Sequence, residues 1–437
     1  MRTPSRQVLP AGLRSYRAAM RLLTPFVGLV LGYRLRRGKE DAARLGERRG
    51  ETGLERPAGP LIWIHGASIG ETVSALPVAQ RLCARGFRVL ITSGTVTSAA
   101  VIGSRLPAGA IHQFIPLDTP RHMARFLERW RPALGLIVES ELWPSMIIEA
   151  TQRRIPLVLV NARMSDRSFR RWQRLSTIIG ALLDRFDLCL AQTAADADRF
   201  RRLGARHVVT SGNLKFDSGV PDPDPATLAS LRRALVNRRL FVAASTHPGE
   251  DAVILDAHER MRAMVPGLIT AIVPRHPERG ASIVADSAAR GFRTRQRSAG
   301  QEPTIDTEVY VADTIGELAA FYRLARVALV GGSLVPHGGQ NPIEPAKIGC
   351  AILHGPHTRN FKEVYAALDE AGGARLVLDL DDLVIEASSL LLKGVDEPSP
   401  MTAAATRVIE DMAGALDRTM AAIDPYLVQI TLEGRER

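Results

Sequence analysis

Ala328-Leu-Val-Gly-Gly-Ser-Leu-Val-Pro-His-Gly-Gly-Gln-Asn-Pro-Ile-Glu-Pro-Ala346 runs from a short apolar stretch into two glycines and on toward a helix start. Residues 327–330 read as a buried strand, and Gly331 and Gly332, lacking Cβ, let a ligand approach backbone N–H groups closely. Pro342 and Pro345 suit a first helical turn. A strand end, a glycine turn and a helix N-terminus present free amide donors and a positive dipole end, an arrangement that holds phosphate. Alone, the stretch also reads as a tight turn in an α/β core, because a glycine-rich loop by itself is weak evidence.

Outward from it, the same short apolar runs recur on both sides. Upstream they fall at 61–64, 89–92, 134–138, 157–160, 188–191 and 207–210. A second series falls at 240–244, 268–273, 309–312, 327–330, 351–353 and 376–378. None alternates strictly with polar residues, as expected of strands covered on both faces, and helix-like segments separate them. The expected fold class is therefore α/β, with two doubly wound, Rossmann-like domains facing across a cleft. Residues 216–225, rich in proline and aspartate, read as the linker. The expected organisation is a segment over 1–45, a first domain over 58–220 and a second over 226–437, its final helix returning to brace the first. At 437 residues the chain is long enough for two cores.

The formal charge of +11 asks for an anionic partner without choosing among nucleic acid, phosphorylated lipid and membrane surface. Cys83, Cys189 and Cys350 are far apart and form no CxxC pair, so a reducing cytoplasm fits. Residues 1–39 contain no acid but nine arginines and lysines. Within them, residues 22–33 form an apolar run shorter than the roughly 18 to 20 residues that span a bilayer. Flanked by arginines, with Tyr16 and Tyr33 near its ends, it suits a segment lying at an anionic membrane surface. The rivals are a cleaved signal peptide and a plain packing helix.

Chemistry-bearing groups gather at predicted strand ends. Ser68 and Glu71 follow the first run and open a helix, where the dipole keeps a carboxylate ionised; a general base and a simple helix cap are the two readings. Glu139 and Glu141 end the run at 134–138. Arg163, Arg167, Arg170, Arg171 and Arg174, interleaved with Phe169 and Trp172, form a cationic cluster, read either as an exposed helix face or as a phosphate site. Nucleic acid is disfavoured, since no RNA- or DNA-binding motif accompanies the cluster. In the second half, Arg275 can meet a phosphate or a sugar carboxylate, and Gly331, Gly332 and Ser333 offer donors. Glu344 can accept from ribose hydroxyls, and Asn341 can orient the loop. Residues 379–382, Asp-Leu-Asp-Asp, read as a solvated turn.

Taken together, His65-Gly-Ala-Ser-Ile-Gly-Glu71, Glu139-Ser-Glu-Leu-Trp-Pro144, Val160-Asn-Ala-Arg-Met-Ser165, Gly212-Asn-Leu-Lys-Phe-Asp217, Ser245-Thr-His247, Val273-Pro-Arg-His-Pro-Glu-Arg279, Asp313-Thr-Ile-Gly-Glu-Leu318, the stretch 328–346 and His354-Gly-Pro-His357 resemble, in order and over nearly the whole chain, the bacterial 3-deoxy-manno-octulosonic acid (Kdo) transferases. The chain departs from the family pattern at Ser93-Gly94, Ser145 and Pro248. The resemblance implies a metal-independent, inverting glycosyltransferase of the B-type fold without a cofactor. It would move Kdo from CMP-Kdo to the lipid A precursor at the cytoplasmic face of the inner membrane. Glu71 matches the family's catalytic base. Ser68, Glu139, Glu141, Arg163 and Arg167 would then serve the acceptor. Ser245, Arg275, Gly331, Gly332, Ser333, Asn341 and Glu344 would serve the donor. Lys215 and His247 are placed with the donor set, although acceptor contact or a structural interdomain role suits either. The competing functions are transfer from another nucleotide sugar and a non-catalytic basic protein bound to membranes.

Overall fold

The computed structural model describes residues 9–217, 219–220, 222–393 and 399–435. The chain forms two compact units, one of residues 1–218 with 413–437, the other of 219–412. In the first unit β1 (Leu61–His65), β2 (Arg88–Ser93), β3 (Ala110–Phe114), β4 (Leu134–Val138), β5 (Leu157–Ala162), β6 (Leu188–Ala191) and β7 (Val208–Thr210) form one parallel sheet, ordered β3-β2-β1-β4-β5-β6-β7. In the second, β8 (Arg239–Thr246), β9 (Leu268–Pro274), β10 (Thr294–Gln296), β11 (Val309–Val311), β12 (Val327–Val330), β13 (Ala351–His354) and β14 (Ala374–Leu376) repeat the plan in the order β10-β11-β9-β8-β12-β13-β14. Strands β1, β4, β5, β12 and β13 are buried along their whole length, which is why their sequences read as continuous apolar runs.

Two strands were invisible to that reading. In β3 the buried His112 and Gln113 break the apolar signal; Ser93 Oγ pairs with His112 Nε2 at 2.9 Å, and Trp130 Nε1 donates to Gln113 Oε1 at 2.7 Å. The three-residue β10 is an edge strand of Thr-Arg-Gln. At the opposite edge β14 sits two residues before the expected 376–378, because Ala374 is the buried residue while Leu376 and Leu378 face solvent.

The linker also starts later than the composition indicates. Phe216 is buried, and the Asp217 carboxylate accepts from Gly414 N (2.7 Å) and Leu416 N (3.0 Å). That contact seats the last helix, Ala415–Arg435, whose Ala415, Met420, Ile423 and Leu427 join the core of the first unit beside Ile62, Ile64 and Val78. Residues 379–382 are not a loose turn: Asp379 caps the helix Leu380–Leu392, accepting from Asp382 N at 2.9 Å.

The N-terminal segment is helical, α1 (Ala11–Leu23) and α2 (Val27–Arg36) joined by the turn Thr24–Phe26. Together they are long and apolar enough to cross a membrane by length and composition. Yet α1 is built into the first unit. Leu13 is 1% exposed within its core, and Arg17 donates to Glu149 at 2.5 Å. Leu22, Leu23, Phe26, Leu29, Val30 and Tyr33 remain exposed.

Candidate functional site

In the first unit the sheet order makes β1, β4 and β5 neighbours, so the loops leaving their C-terminal ends share one edge of the sheet. Beyond β1 the chain turns through Gly66, where a Cβ would come within 3.0 Å of both Glu71 Cβ and Thr72 N. A glycine is needed for that approach. Ser68 then caps α3 (Ile69–Ala84), accepting from Glu71 N at 3.4 Å. The Glu71 carboxylate folds back onto the same turn, Oε2 accepting from Ala67 N and Oε1 from Ser68 Oγ, each at 2.7 Å. Glu71 is thus a held, half-buried carboxyl group at a helix start, tied to the turn through the Ser68 hydroxyl and the Ala67 amide.

Glu139, directly after β4, has φ +58°, and Asn161, near the end of the adjacent β5, has φ +54°. Such backbone conformations are uncommon for residues with side chains and gather at functional sites. Glu139 pairs with Lys215 at 3.0 Å. Lys215, placed from sequence in the donor set, lies in the first unit beside Glu139, placed in the acceptor set. Glu141 is half-buried, and its carboxyl is pushed up to about 7, first by burial, then by the nearby Glu71 and Glu139 charges, with a hydrogen bond from Trp143 opposing them. The Trp143 ring lies edge-on to the buried imidazole of His65 at 5.2 Å. Burial drives that imidazole down to about 4, so it is neutral.

The Glu141 shift carries a test. Its stabilising contribution is fully present below the ordinary value of 4.5 and is lost as pH rises through about 7, where the folded state must also give up the proton. Glu141→Gln should therefore flatten the decline in unfolding free energy across that window, measured by urea titration at about pH 5 and about pH 8. An unchanged slope would show that Glu141 is an ordinary solvated acid.

After β5, Ser165 caps the helix Asp166–Gln173, which buries Phe169 and leaves Arg167, Arg170, Arg171 and Arg174 exposed, with Arg163 exposed just before it. The cationic cluster is real, and it sits on the same sheet edge as Glu71 and Glu139.

In the second unit β9, β8, β12 and β13 are neighbours, and the residues assigned to the donor leave their C-terminal ends. Gly331 passes so close to β8 that a Cβ would lie 2.6 Å from the Ser245 carbonyl oxygen. Ser245 itself has φ +58°. The expectation of free amide donors here is corrected. Gly331 N donates to Ala244 O at 2.8 Å. The carboxylate of Glu250, fully buried, accepts from Gly332 N (2.7 Å), Ser333 N (3.1 Å), Leu334 N (3.0 Å) and His247 N (2.8 Å). An internal side-chain acceptor already fills the turn that an incoming phosphate would use. The Ser333 hydroxyl is likewise engaged, donating to Val330 O and accepting from Gly355 N at 2.9 Å. The Gly331, Gly332 and Ser333 amides and the Ser333 hydroxyl therefore all have partners within the unit. Glu250 escaped the sequence reading, although its place one residue after Gly249, in the first turn of a helix following Ser245-Thr-His247, was a usable signal.

Arg275 has an exposed side chain, its backbone N held by Thr246 O at 3.0 Å. His247 stacks on His337 at 3.6 Å and pairs with Gln340 at 2.9 Å. Burial, followed by His337, His276, Arg279 and Arg275, brings His247 down to about 4, leaving a neutral ring near Arg275 and Arg279. Asn341 accepts from Ile343 N at 3.1 Å and so fixes the loop entering the helix Ile343–Ile348, and Glu344 is half-buried in its first turn.

The fold is similar to that of the UDP-GlcNAc 2-epimerase from Neisseria meningitidis bound to UDP-GlcNAc, at a TM-score of 0.53 and 12% identity over 85% of this chain and all of that one. At such identity the likeness concerns the fold alone. Residues 43–218 match the family model described as 3-Deoxy-D-manno-octulosonic-acid transferase (kdotransferase). The 3-deoxy-D-manno-octulosonic acid transferase of Bordetella pertussis is 35% identical, covering 94% of this chain and 99% of the relative. That of Haemophilus influenzae is 32% identical, covering 94% and 98%. Agreement at this level from end to end, on a pair of parallel sheets whose strand ends carry the matched motifs, makes this chain a member of the 3-deoxy-D-manno-octulosonic acid transferase family of glycosyltransferases.

Proposed function

We propose that this transferase moves Kdo from CMP-Kdo to a hydroxyl of the lipid A precursor, with inversion, at the cytoplasmic face of the inner membrane. The observation that carries the reading is Glu71, a carboxyl group fixed at the start of α3 by two hydrogen bonds and adjoined by Glu141. Its carboxylate takes the proton from the acceptor hydroxyl as that oxygen attacks the anomeric carbon. The bond from that carbon to the phosphate oxygen of CMP breaks, and CMP leaves. Glu139, paired with Lys215, and the arginines following β5 are the acceptor-side groups. Guanidinium forks match the phosphates of a lipid A precursor. Arg275, His247 and Glu344 serve the donor, Arg275 toward the phosphate or the sugar carboxylate and Glu344 toward ribose hydroxyls. Incubation of the purified protein with CMP-Kdo or UDP-sugars, each with and without tetraacylated lipid A precursor, tests this directly. CMP release only with the matched pair is expected. Release from a UDP-sugar, or no turnover at all, would overturn the assignment in favour of another sugar or of a non-catalytic membrane protein.

The exposed apolar side chains of α1, α2 and the turn between them, flanked by arginines, support attachment to an anionic membrane surface. Because Leu13 and Arg17 belong to the core, deleting the segment would damage the unit, and substitution is the cleaner test. Burying an apolar side chain contributes roughly 1.5 to 3 kcal/mol, so a Leu22→Ser, Phe26→Ser, Leu29→Ser triple variant should bind anionic vesicles at least about tenfold more weakly. Unchanged flotation with vesicles would remove this face from the membrane contact.

A further inference from the structure

The helix Pro144–Gln152 starts at the end of the 139–143 loop, and its own N-cap residue, Trp143, offers no side-chain cap. The cap comes from elsewhere in the chain. Asp118 accepts from Ser145 N at 3.1 Å and from Met146 N at 2.8 Å, and its backbone carbonyl accepts from Ser145 Oγ at 3.0 Å. Asp118 is in turn held by α1, because Tyr16 Oη donates to its Oδ2 at 2.8 Å. One turn further along the same helix pair, Arg17 binds Glu149 at 2.5 Å with both side chains buried, and Arg153 binds the other Glu149 oxygen at 2.7 Å. Two separate polar contacts therefore lock α1 to the helix that carries Trp143 at its start.

We propose that α1 is a positioning element of the acceptor site, Tyr16 acting through Asp118 and Arg17 through Glu149 to set the helix start at Trp143 and with it the loop bearing Glu139 and Glu141. The inference rests on reading that loop as acceptor-side. A segment that serves only as an anchor needs no phenol aimed at a carboxylate 102 residues away. The Ser145 hydroxyl, donating to the Asp118 carbonyl, adds a third bond to the same contact.

Tyr16→Phe removes one hydroxyl and leaves the packing of α1 intact. In the full-length protein with CMP-Kdo and lipid A precursor, kcat/KM for the acceptor should fall about five- to tenfold, as expected when a bond to a charged group is lost. The KM for donor and the vesicle-bound fraction should stay within about twofold. Asp118→Ala should lower acceptor kcat/KM at least as much, and the Tyr16→Phe, Asp118→Ala double variant should be no worse than Asp118→Ala alone. Unchanged acceptor kinetics in Tyr16→Phe overturns the proposal. So does an equal loss for donor and acceptor with a lowered melting temperature, which marks a merely structural contact. Glu71→Gln run in parallel separates the two readings. If it abolishes turnover while Tyr16→Phe is silent, only the positioning role fails. If it retains turnover, the base assignment fails, and the acceptor KM of Tyr16→Phe still reports on α1.

Discussion

Glu71→Gln should lower turnover on the order of a hundredfold or more while leaving donor affinity and melting temperature nearly unchanged. The two possible roles of Glu71 respond differently to this change. As a cap, Glu71 accepts from Ala67 N and Ser68 Oγ. Glutamine keeps one acceptor oxygen for the amide, and its NH2 group can donate to the serine hydroxyl, so the turn loses about 0.3 to 1 kcal/mol of charge interaction with the helix start. As a base, glutamine cannot take a proton, and the attacking hydroxyl has no acceptor. Kdo transferred per enzyme at saturating donor and acceptor measures the difference. Turnover within a few-fold of the parent would move the role to Glu139 or Glu141, the other carboxylates at this sheet edge.

The largest effect on stability is expected at Glu250, a residue that need not touch substrate. Glu250→Ala leaves four backbone N–H groups, those of His247, Gly332, Ser333 and Leu334, without their acceptor in a buried turn. At about 1 to 3 kcal/mol for each unsatisfied buried group, and allowing for water to enter, a loss of about 4 kcal/mol or more follows. Glu250→Gln should be nearly as damaging, since its NH2 group faces donors rather than acceptors. Amide hydrogen exchange is the sharper measurement: protection at Gly332, Ser333 and Leu334 should collapse in both variants. A stability change under about 1 kcal/mol would mean that solvent replaces the carboxylate freely and that the turn is open to an anion after all.

The sheets were legible because strands covered on both faces must be apolar throughout, and β1, β4, β5, β12 and β13 are. Where burial is achieved by pairing polar groups, as with His112 and Gln113 in β3, the local signal disappears. Glu71 was legible because a cap and a helix start are local events within a few residues. The arginines after β5 were legible as a cluster for the same reason, since one short helix carries most of them.

By itself, then, the sequence determined two parallel α/β units and the family. Tertiary structure alone decided which partner each polar group takes. Glu250 closes a glycine turn 82 residues away, Lys215 belongs with Glu139 across 76 residues, and Tyr16 reaches Asp118 across 102. The last helix joins the first unit through Asp217. Periodicity and capping are set by neighbours within one or two turns, and so they are written locally. A buried donor or acceptor must instead be satisfied by whatever the fold brings to it, and nothing in the local sequence specifies that partner.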